Sequence, residues 1–522
     1  MANVILFTDR TPHTQEIQGE MYQIERYTRG AGAYKIASNL RNHGFSVVVI
    51  PNCLRLSFAT IKEIISANSK DLLWVGISTT FMTVRSSSIE NYRKIWAKTT
   101  DRFVNLITLT DNYNLRTLNN QIAWGTTELN LISDFVKSEF SAEVVLGGTW
   151  VSHIKDGALD LDITRVRVVT GMAEDYSIEM TQALHKKLPV PFQLATKEGQ
   201  KDFKSSFIDY TEHDHVSPDD WLSIEISRGC AFKCAYCTYD HKGKSDTTKW
   251  TKTLRDELIR NYEHWGVTKY HLLDDLYNDS EYKIKTLYDE VWSQLPFQPE
   301  WISYLRLDLI WSNPDSAEWI KQSGCKLGCF GIETLHDRAG RGVGKGLGKE
   351  RILETLKFLK EKWGSDVLID AMMIAGLPYE PYEHIVETME WIRTTDLVNS
   401  YSYQPLWVTP PDHKKIVLQY SDMSKDYDKY QLTWGPDGWV NNVDVSFKMV
   451  SELCMNLQNQ RYDNYFPVDF QEYTELRTLG YSHADLARRE FKNTILNDIT
   501  SHNYPINDLI TARLEKILKV KD

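Results

Sequence analysis

Ser227-Arg-Gly-Cys-Ala-Phe-Lys-Cys-Ala-Tyr-Cys-Thr238 sets Cys230, Cys234 and Cys237 in a C-x3-C-x2-C run. Three thiolates this close, with no fourth cysteine nearby, suit a cubane iron–sulfur cluster that leaves one iron without a protein ligand. An open iron is a place for chemistry. A structural zinc site is normally closed by a fourth ligand. His241 is the candidate for that role, although such sites usually space their ligand pairs across a longer loop. Three buried core cysteines are the remaining alternative. Leu222-Ser-Ile-Glu-Ile226 alternates like a strand just ahead, so the cysteines fall in the loop after it. Loops at strand C-termini are where α/β folds place reactive groups.

The chain has 522 residues, enough for about two to four domains at roughly 150 residues each. A hydrophobic content of 42% supports real cores. A net charge of −11 and a pI near 5.8 argue against a nucleic-acid backbone as the main partner. Seven cysteines, an odd number, make no disulfide framework and fit a reducing compartment. Cys53, Cys454 and the pair Cys325 and Cys329 read as core residues. The first ten residues are a short apolar strand followed by charge, unlike a signal peptide. No stretch approaches a membrane span, and the chain is predicted to be cytoplasmic.

Val4–Thr8, Ser46–Ile50, Leu73–Ser78 and Glu143–Leu146 are apolar runs of strand length. Between the first two, Tyr34, Ile36, Ala37 and Leu40 recur at helical spacing. Strands alternating with helices predict a parallel sheet. Its ligand would sit beyond the strand C-termini, at Ser78-Thr79-Thr80 and Gly147-Gly148-Thr149. Residues 84–125 read as a polar insertion, a lid or a solvated excursion. Runs at His271–Leu273, Trp301–Tyr304, Cys329–Ile332, Leu368–Ile374 and Tyr401–Trp407 recur at βα spacing and, with the strand before the cysteines, make six.

The cysteine spacing, with Tyr236 before the third cysteine, resembles the radical S-adenosylmethionine (radical SAM) superfamily. That resemblance implies a partial (β/α)6 barrel over residues 215–411 and a 4Fe–4S cluster on Cys230, Cys234 and Cys237. The open iron would bind SAM, which an electron splits to a 5′-deoxyadenosyl radical. Arg29–Phe45, Val144–Gly148 and Val168–Glu174 resemble the Rossmann-like cobalamin-binding domain that precedes many such cores, here over residues 1–190. For cobalamin the resemblance points to Ser78, Thr79, Gly147, Gly148, Thr149 and Gly171. The usual Gly-Glu-Gly-Glu is Gly171-Met-Ala-Glu174, and the Asp-x-His-x-x-Gly motif that supplies an axial imidazole is absent. A vestigial Rossmann-like unit holding no cobalamin is the alternative.

For SAM the resemblance points to Asp275 in Leu272-Leu-Asp-Asp-Leu-Tyr-Asn278, Arg306 on the third strand, Glu333 at the end of the fourth, Arg338 or Arg341 for the carboxylate, and Gly376 in Met373-Ile-Ala-Gly-Leu-Pro-Tyr-Glu380. Helix capping is the alternative for Asp275, and a solvated loop arginine for Arg338 and Arg341. Ala339–Gly348 is glycine-rich but fits no phosphate-binding motif, so it reads as a mobile loop near the cofactor. Residues 412–522 are expected to be mainly helical, near Val445–Leu457, Ala484–Asn497 and Ile506–Leu518. Tyr420, Tyr427, Tyr430, Trp434 and Trp439 either shield a radical or simply pack. The function implied is a cobalamin-dependent radical SAM enzyme that methylates an unactivated carbon of a small-molecule or peptide substrate, reduced by a flavodoxin or ferredoxin. Radical rearrangement, cyclisation or C–S chemistry without methyl transfer is one alternative, and a non-catalytic metal-binding module is another.

Overall fold

The computed structural model describes residues 2–10, 13–17, 20–24, 29–53, 58–68, 71–81, 126–148, 166–190, 195–196, 202–239, 242–243, 247–409, 421–435, 437–464, 470–488 and 506–518, with a few isolated positions such as Tyr27 and Leu56. The 84–125 insertion, Thr149, His241 and Tyr420 lie outside them.

The first sheet comprises β1 (Val4–Arg10), β2 (Val47–Pro51), β3 (Trp74–Phe81), β4 (Glu143–Gly147) and β5 (Arg167–Val168), all parallel in the order β2-β1-β3-β4-β5. Four strands coincide with the predicted runs, and β5 was not foreseen because it has only two residues. Alternation along each strand feeds two cores. Val4, Leu6, Val49 and Trp74 face helix α1 (Ala31–Asn42) and a core continuous with the second body. Ile5, Phe7, Val75 and Ile77 face helices α2 (Phe58–Asn68) and α3 (Thr126–Phe140). This strand order reverses direction between β1 and β3, and ligands in such sheets bind beyond the strand ends at that reversal. Thr8, Ser78 and Gly147 lie at that edge.

The second sheet has six parallel strands in sequential order: β6 (Trp221–Ile224), β7 (Lys269–Leu272), β8 (Glu300–Leu305), β9 (Cys325–Glu333), β10 (Leu368–Ala375) and β11 (Ser400–Pro405). The connections carry amphipathic helices such as Thr251–Trp265, Lys349–Trp363 and Tyr382–Thr394. Their buried Leu254, Leu258, Leu356, Leu359, Ile385 and Ile392 cover one face of the strands. On the other face Trp221, Ile302, Leu327, Cys329 and Leu368 pack against Tyr473 and Leu476 of the tail helix Phe470–Thr478. Cys325 and Cys329 are both buried in β9.

The tail divides its packing. The hairpin Leu432–Gly435 with Gly438–Asn441 and the helix Phe447–Asn464 add Trp439, Phe447 and Val450 to the barrel core. The helix Ile506–Leu518 instead returns to the first body, where Ile506, Ile510 and Leu514 complete the core under β1 and β3. Of the predicted segment Ala484–Asn497, a short helix His483–Leu486 is described. Among the described residues no helix is long and apolar enough to cross a membrane.

Candidate active site

The cysteine loop leaves β6 and is closed at its base by antiparallel pairing of Ser227–Arg228 with Thr247–Thr248. Gly229 and Gly243 take positive φ, 109° and 74°, to make its turns. Gly243 N–H donates to the carbonyls of Cys230 (2.7 Å) and Phe232 (2.9 Å), and Lys242 Nζ donates to the Cys237 carbonyl at 2.7 Å. The glycine-rich segment folds onto this loop: Ala235 N–H donates to the Val343 carbonyl at 3.0 Å. A Cβ at Gly344 (φ +87°) would lie 3.5 Å from Cys234 Cα.

Each sulfur has a donor. The Phe232 N–H faces Cys230, Arg306 Nη1 lies 3.4 Å from Cys234 Sγ, and the Tyr239 N–H lies 3.4 Å from Cys237 Sγ. Burial pushes the Cys230 and Cys237 thiols up, against the pull of those N–H groups. Donors to thiolate sulfur are among the features that hold and tune an iron–sulfur cluster, so the loop fits a cubane. Among the described residues no three His, Cys, Asp or Glu side chains are arranged around a single ion. A cubane needs no such convergence, because each thiolate takes its own iron.

Arg306 faces the cysteine loop. Its guanidinium sits 3.7 Å from the Phe232 ring centroid and pairs with Asp308 at 2.6 Å. Glu333 is buried where β9 bulges, in a positive-φ conformation of 69° that L residues rarely adopt. Its Oε1 accepts from Tyr236 Oη at 2.7 Å and lies 3.3 Å from Lys345 Nζ. A Cβ at Gly331 would come within 2.5 Å of that carboxylate, so Gly331 makes the room. Tyr236 and Glu333 are thus brought together, and Lys345 joins them. Sequence reading missed Lys345, although its place inside the glycine-rich run was a signal.

Asp275 stays open to solvent yet is hemmed in by protein. Burial pushes its carboxyl up to about 6, against the hydrogen bond from Tyr239. Its neighbour Asp274 does the structural work: its Oδ1 accepts the N–H groups of Ile226 (2.9 Å) and Ser227 (2.6 Å), tying β7 to the start of the cysteine loop. Arg338 is exposed over the Tyr379 ring at 4.1 Å, and Arg341 is exposed beside Asp337. Gly376 (φ +90°) ends β10, where a Cβ would lie 2.2 Å from the Trp439 ring, so its nearest visitor is that indole.

At the first sheet's edge, Ser78 ends beside Gly147 in register. Gly148 (φ +105°) and the exposed Gly171 (φ +80°) turn the chain there. The backbone of Thr79 continues β3, and its side chain lies outside the described residues. Among the described residues, the atom nearest a Cβ at Gly147 would be the Val169 carbonyl oxygen at 3.8 Å.

Residues 224–392 match the family model described as the radical SAM superfamily. An uncharacterized methyltransferase of Pyrococcus horikoshii is 25% identical over 175 residues, 33% of this chain and 37% of that protein. The anaerobic magnesium-protoporphyrin IX monomethyl ester cyclase of Cereibacter sphaeroides is 24% identical over 210 residues, 40% of this chain and 33% of that protein. The match therefore covers well under half of either relative. Among solved structures, the radical S-adenosylmethionine methyltransferase TsrM from Kitasatospora setae, with cobalamin and a 4Fe–4S cluster bound, aligns at TM-score 0.54 and 14% identity over 81% of this chain and 77% of that one. The cobalamin-dependent S-adenosylmethionine radical enzyme OxsB, with aqua-cobalamin bound, aligns at TM-score 0.52 and 12% identity over 100% of this chain and 81% of that one. At such identities the likeness fixes the fold, a Rossmann-like body followed by a partial barrel. Residues 224–392 thus carry a domain that matches the radical SAM superfamily.

Proposed function

We propose that the chain is a cobalamin-dependent radical SAM enzyme that transfers a methyl group to an unactivated carbon. The observation that carries this reading is the cysteine loop at the barrel's C-terminal end, each sulfur provided with a donor, facing a buried carboxylate on β9. A 4Fe–4S cluster held by Cys230, Cys234 and Cys237 would supply the low-potential electron for SAM cleavage, and cobalamin at the first sheet's edge would carry the methyl group. The protein's part is positioning. Glu333 offers acceptor oxygens to the SAM amine or ribose hydroxyls, while Tyr236 and Lys345 hold that carboxylate in one orientation. Asp275 presents a second carboxyl from β7. Similarity to TsrM and to the Pyrococcus horikoshii methyltransferase supports methyl transfer, and similarity to the cyclase favours ring-forming radical chemistry as a second reading.

Anaerobic reconstitution should give a brown protein whose broad visible absorption vanishes in the Cys230→Ala/Cys234→Ala/Cys237→Ala variant. Dithionite and SAM should then release 5′-deoxyadenosine, and hydroxocobalamin should co-elute with the protein on gel filtration. A colourless protein that releases no nucleoside refutes the radical reading. Cleavage without cobalamin retention selects the second reading.

A further inference from the structure

We propose that Arg228 is a positioning residue that ties the ligand-facing edge of the first sheet to the first cysteine of the cluster loop, through the ion-pair chain Lys35–Glu225–Arg228–Glu174. This rests on the reading of Cys230 as a cluster ligand and adds a route by which the N-terminal body acts on that cluster.

Arg228 lies two residues before Cys230, in the short strand that closes the loop. Its Nε and Nη2 donate to Glu225 at 2.6 and 2.9 Å, and Nη2 also meets Glu174 Oε1. Nη1 lies 3.1 Å from Met172 Sδ, and the guanidinium covers the Phe203 ring at 4.5 Å. Lys35 Nζ donates at 2.9 Å to Glu225 Oε2, the oxygen that also accepts from Arg228 Nη2.

The charges alternate in sign and also in origin. Lys35, on α1, and Glu174, which opens the helix Glu174–His185, belong to the N-terminal body; Glu225 and Arg228 belong to the barrel. Glu174 stands three residues after Gly171, at the edge where a cofactor would lie. The four side chains are 5, 22, 13 and 10% exposed in chain order from Lys35 to Glu174. Salt screens so enclosed a set poorly, and its members feel one another strongly. Glu174 Oε2 finds no donor among the described residues, so Arg228 compensates that carboxylate.

The chain is neutral as a whole, which makes its two end pairs separable. Arg228→Met leaves one uncompensated negative charge beside the cysteine loop, and Glu174→Gln leaves one uncompensated positive charge. Adding an electron to a nearby cluster is harder beside the former and easier beside the latter. The two variants should therefore move the cluster's reduction potential in opposite directions, whereas a loop that had merely loosened would shift both the same way.

The test is a redox titration of the reconstituted full-length protein by electron paramagnetic resonance, with hydrogen exchange of residues 172–180 and 227–239 in the same samples. Arg228→Met should titrate at lower potential than the parent, Glu174→Gln at higher potential, and Arg228→Lys close to the parent. Glu174→Gln should also speed exchange across 227–239, on the far side of the contact. Equal or same-direction shifts with full cluster content overturn the proposal. If Arg228→Met holds no cluster, Glu174→Gln and Arg228→Lys still decide it by potential. If the parent protein takes up no cluster at all, the reading under Proposed function fails, and the exchange arm alone confirms or refutes the link.

Discussion

The Asp274 carboxyl is fully enclosed between β7 and the root of the cysteine loop, and burial pushes it up to about 7 against Lys283 and two backbone N–H groups. Its folded value stands above its unfolded one, near 3.9, so the folded state binds the extra proton. The stability this supplies is full below about pH 4 and fades as pH rises toward 7. Asp274→Asn keeps an acceptor for Ile226 and Ser227 while removing the charge. Its Tm should exceed the parent's at pH 7.5 and lack that decline between pH 4 and 7, read by calorimetry. A second prediction concerns Glu333. Glu333→Gln weakens a charge-assisted contact worth roughly 1.5 kcal/mol or more, so the SAM Kd should rise about tenfold in equilibrium dialysis, with the visible spectrum of the cluster unchanged. The place of the cysteine loop after β6 and of Glu333 at the end of β9 was legible in the sequence. The division of labour between Asp274 and Asp275 was not, because adjacent residues on a strand end face opposite ways and only the fold says which way is in. The neighbours of Arg306 were hidden for a similar reason: Phe232 and Cys234 lie more than seventy residues away in sequence.

Strands and helices were the most readable level. Short apolar runs separated by helical periodicity gave the barrel strands within a residue or two at most ends, although β9 begins at Cys325, four residues before the predicted run. What periodicity does not carry is the object that fills the space beside a glycine. The resemblance pointed Gly376 at SAM, and on the side a Cβ would occupy the structure sets the Trp439 indole, anchored by its Nε1–H to the Leu406 carbonyl at 2.9 Å. Gly376→Ala must either displace a fully buried ring or strain the left-handed backbone. A loss of about 3 kcal/mol is expected from overpacking and conformation together, measured by denaturant unfolding. The glycine-rich segment also departs from expectation. It holds a short helix, Asp337–Gly342, and its Val343 carbonyl receives a cysteine-loop N–H, so it is a packed wall of the loop.

At the scale of the molecule, the two bodies are joined by buried charge as well as by chain. Asp220, just before β6, accepts from Arg29 Nη2 at 2.7 Å and from Tyr27 Oη at 2.8 Å, and Arg513 of the last described helix lies 3.3 Å away. Arg513 also rests over the Tyr27 ring at 3.4 Å. Removing residues 506–518 strips Ile506, Ile510 and Leu514 from the first body's core, each worth roughly 1.5–3 kcal/mol of burial. The shortened protein should be cut by low concentrations of trypsin within residues 1–190 while the barrel resists, and gel electrophoresis of the digest checks this. The helix itself was legible from its apolar spacing, but its destination, more than three hundred residues back along the chain, was not.

That destination imposes an order on biogenesis. A ribosome releasing about 5–20 residues per second would finish the first sheet tens of seconds before it reaches Ile506. Throughout that interval the nascent body must carry an uncovered greasy patch beside α2 and α3, so holding chaperones, and a host that translates slowly or in the cold, should weigh heavily on the yield of recombinant protein.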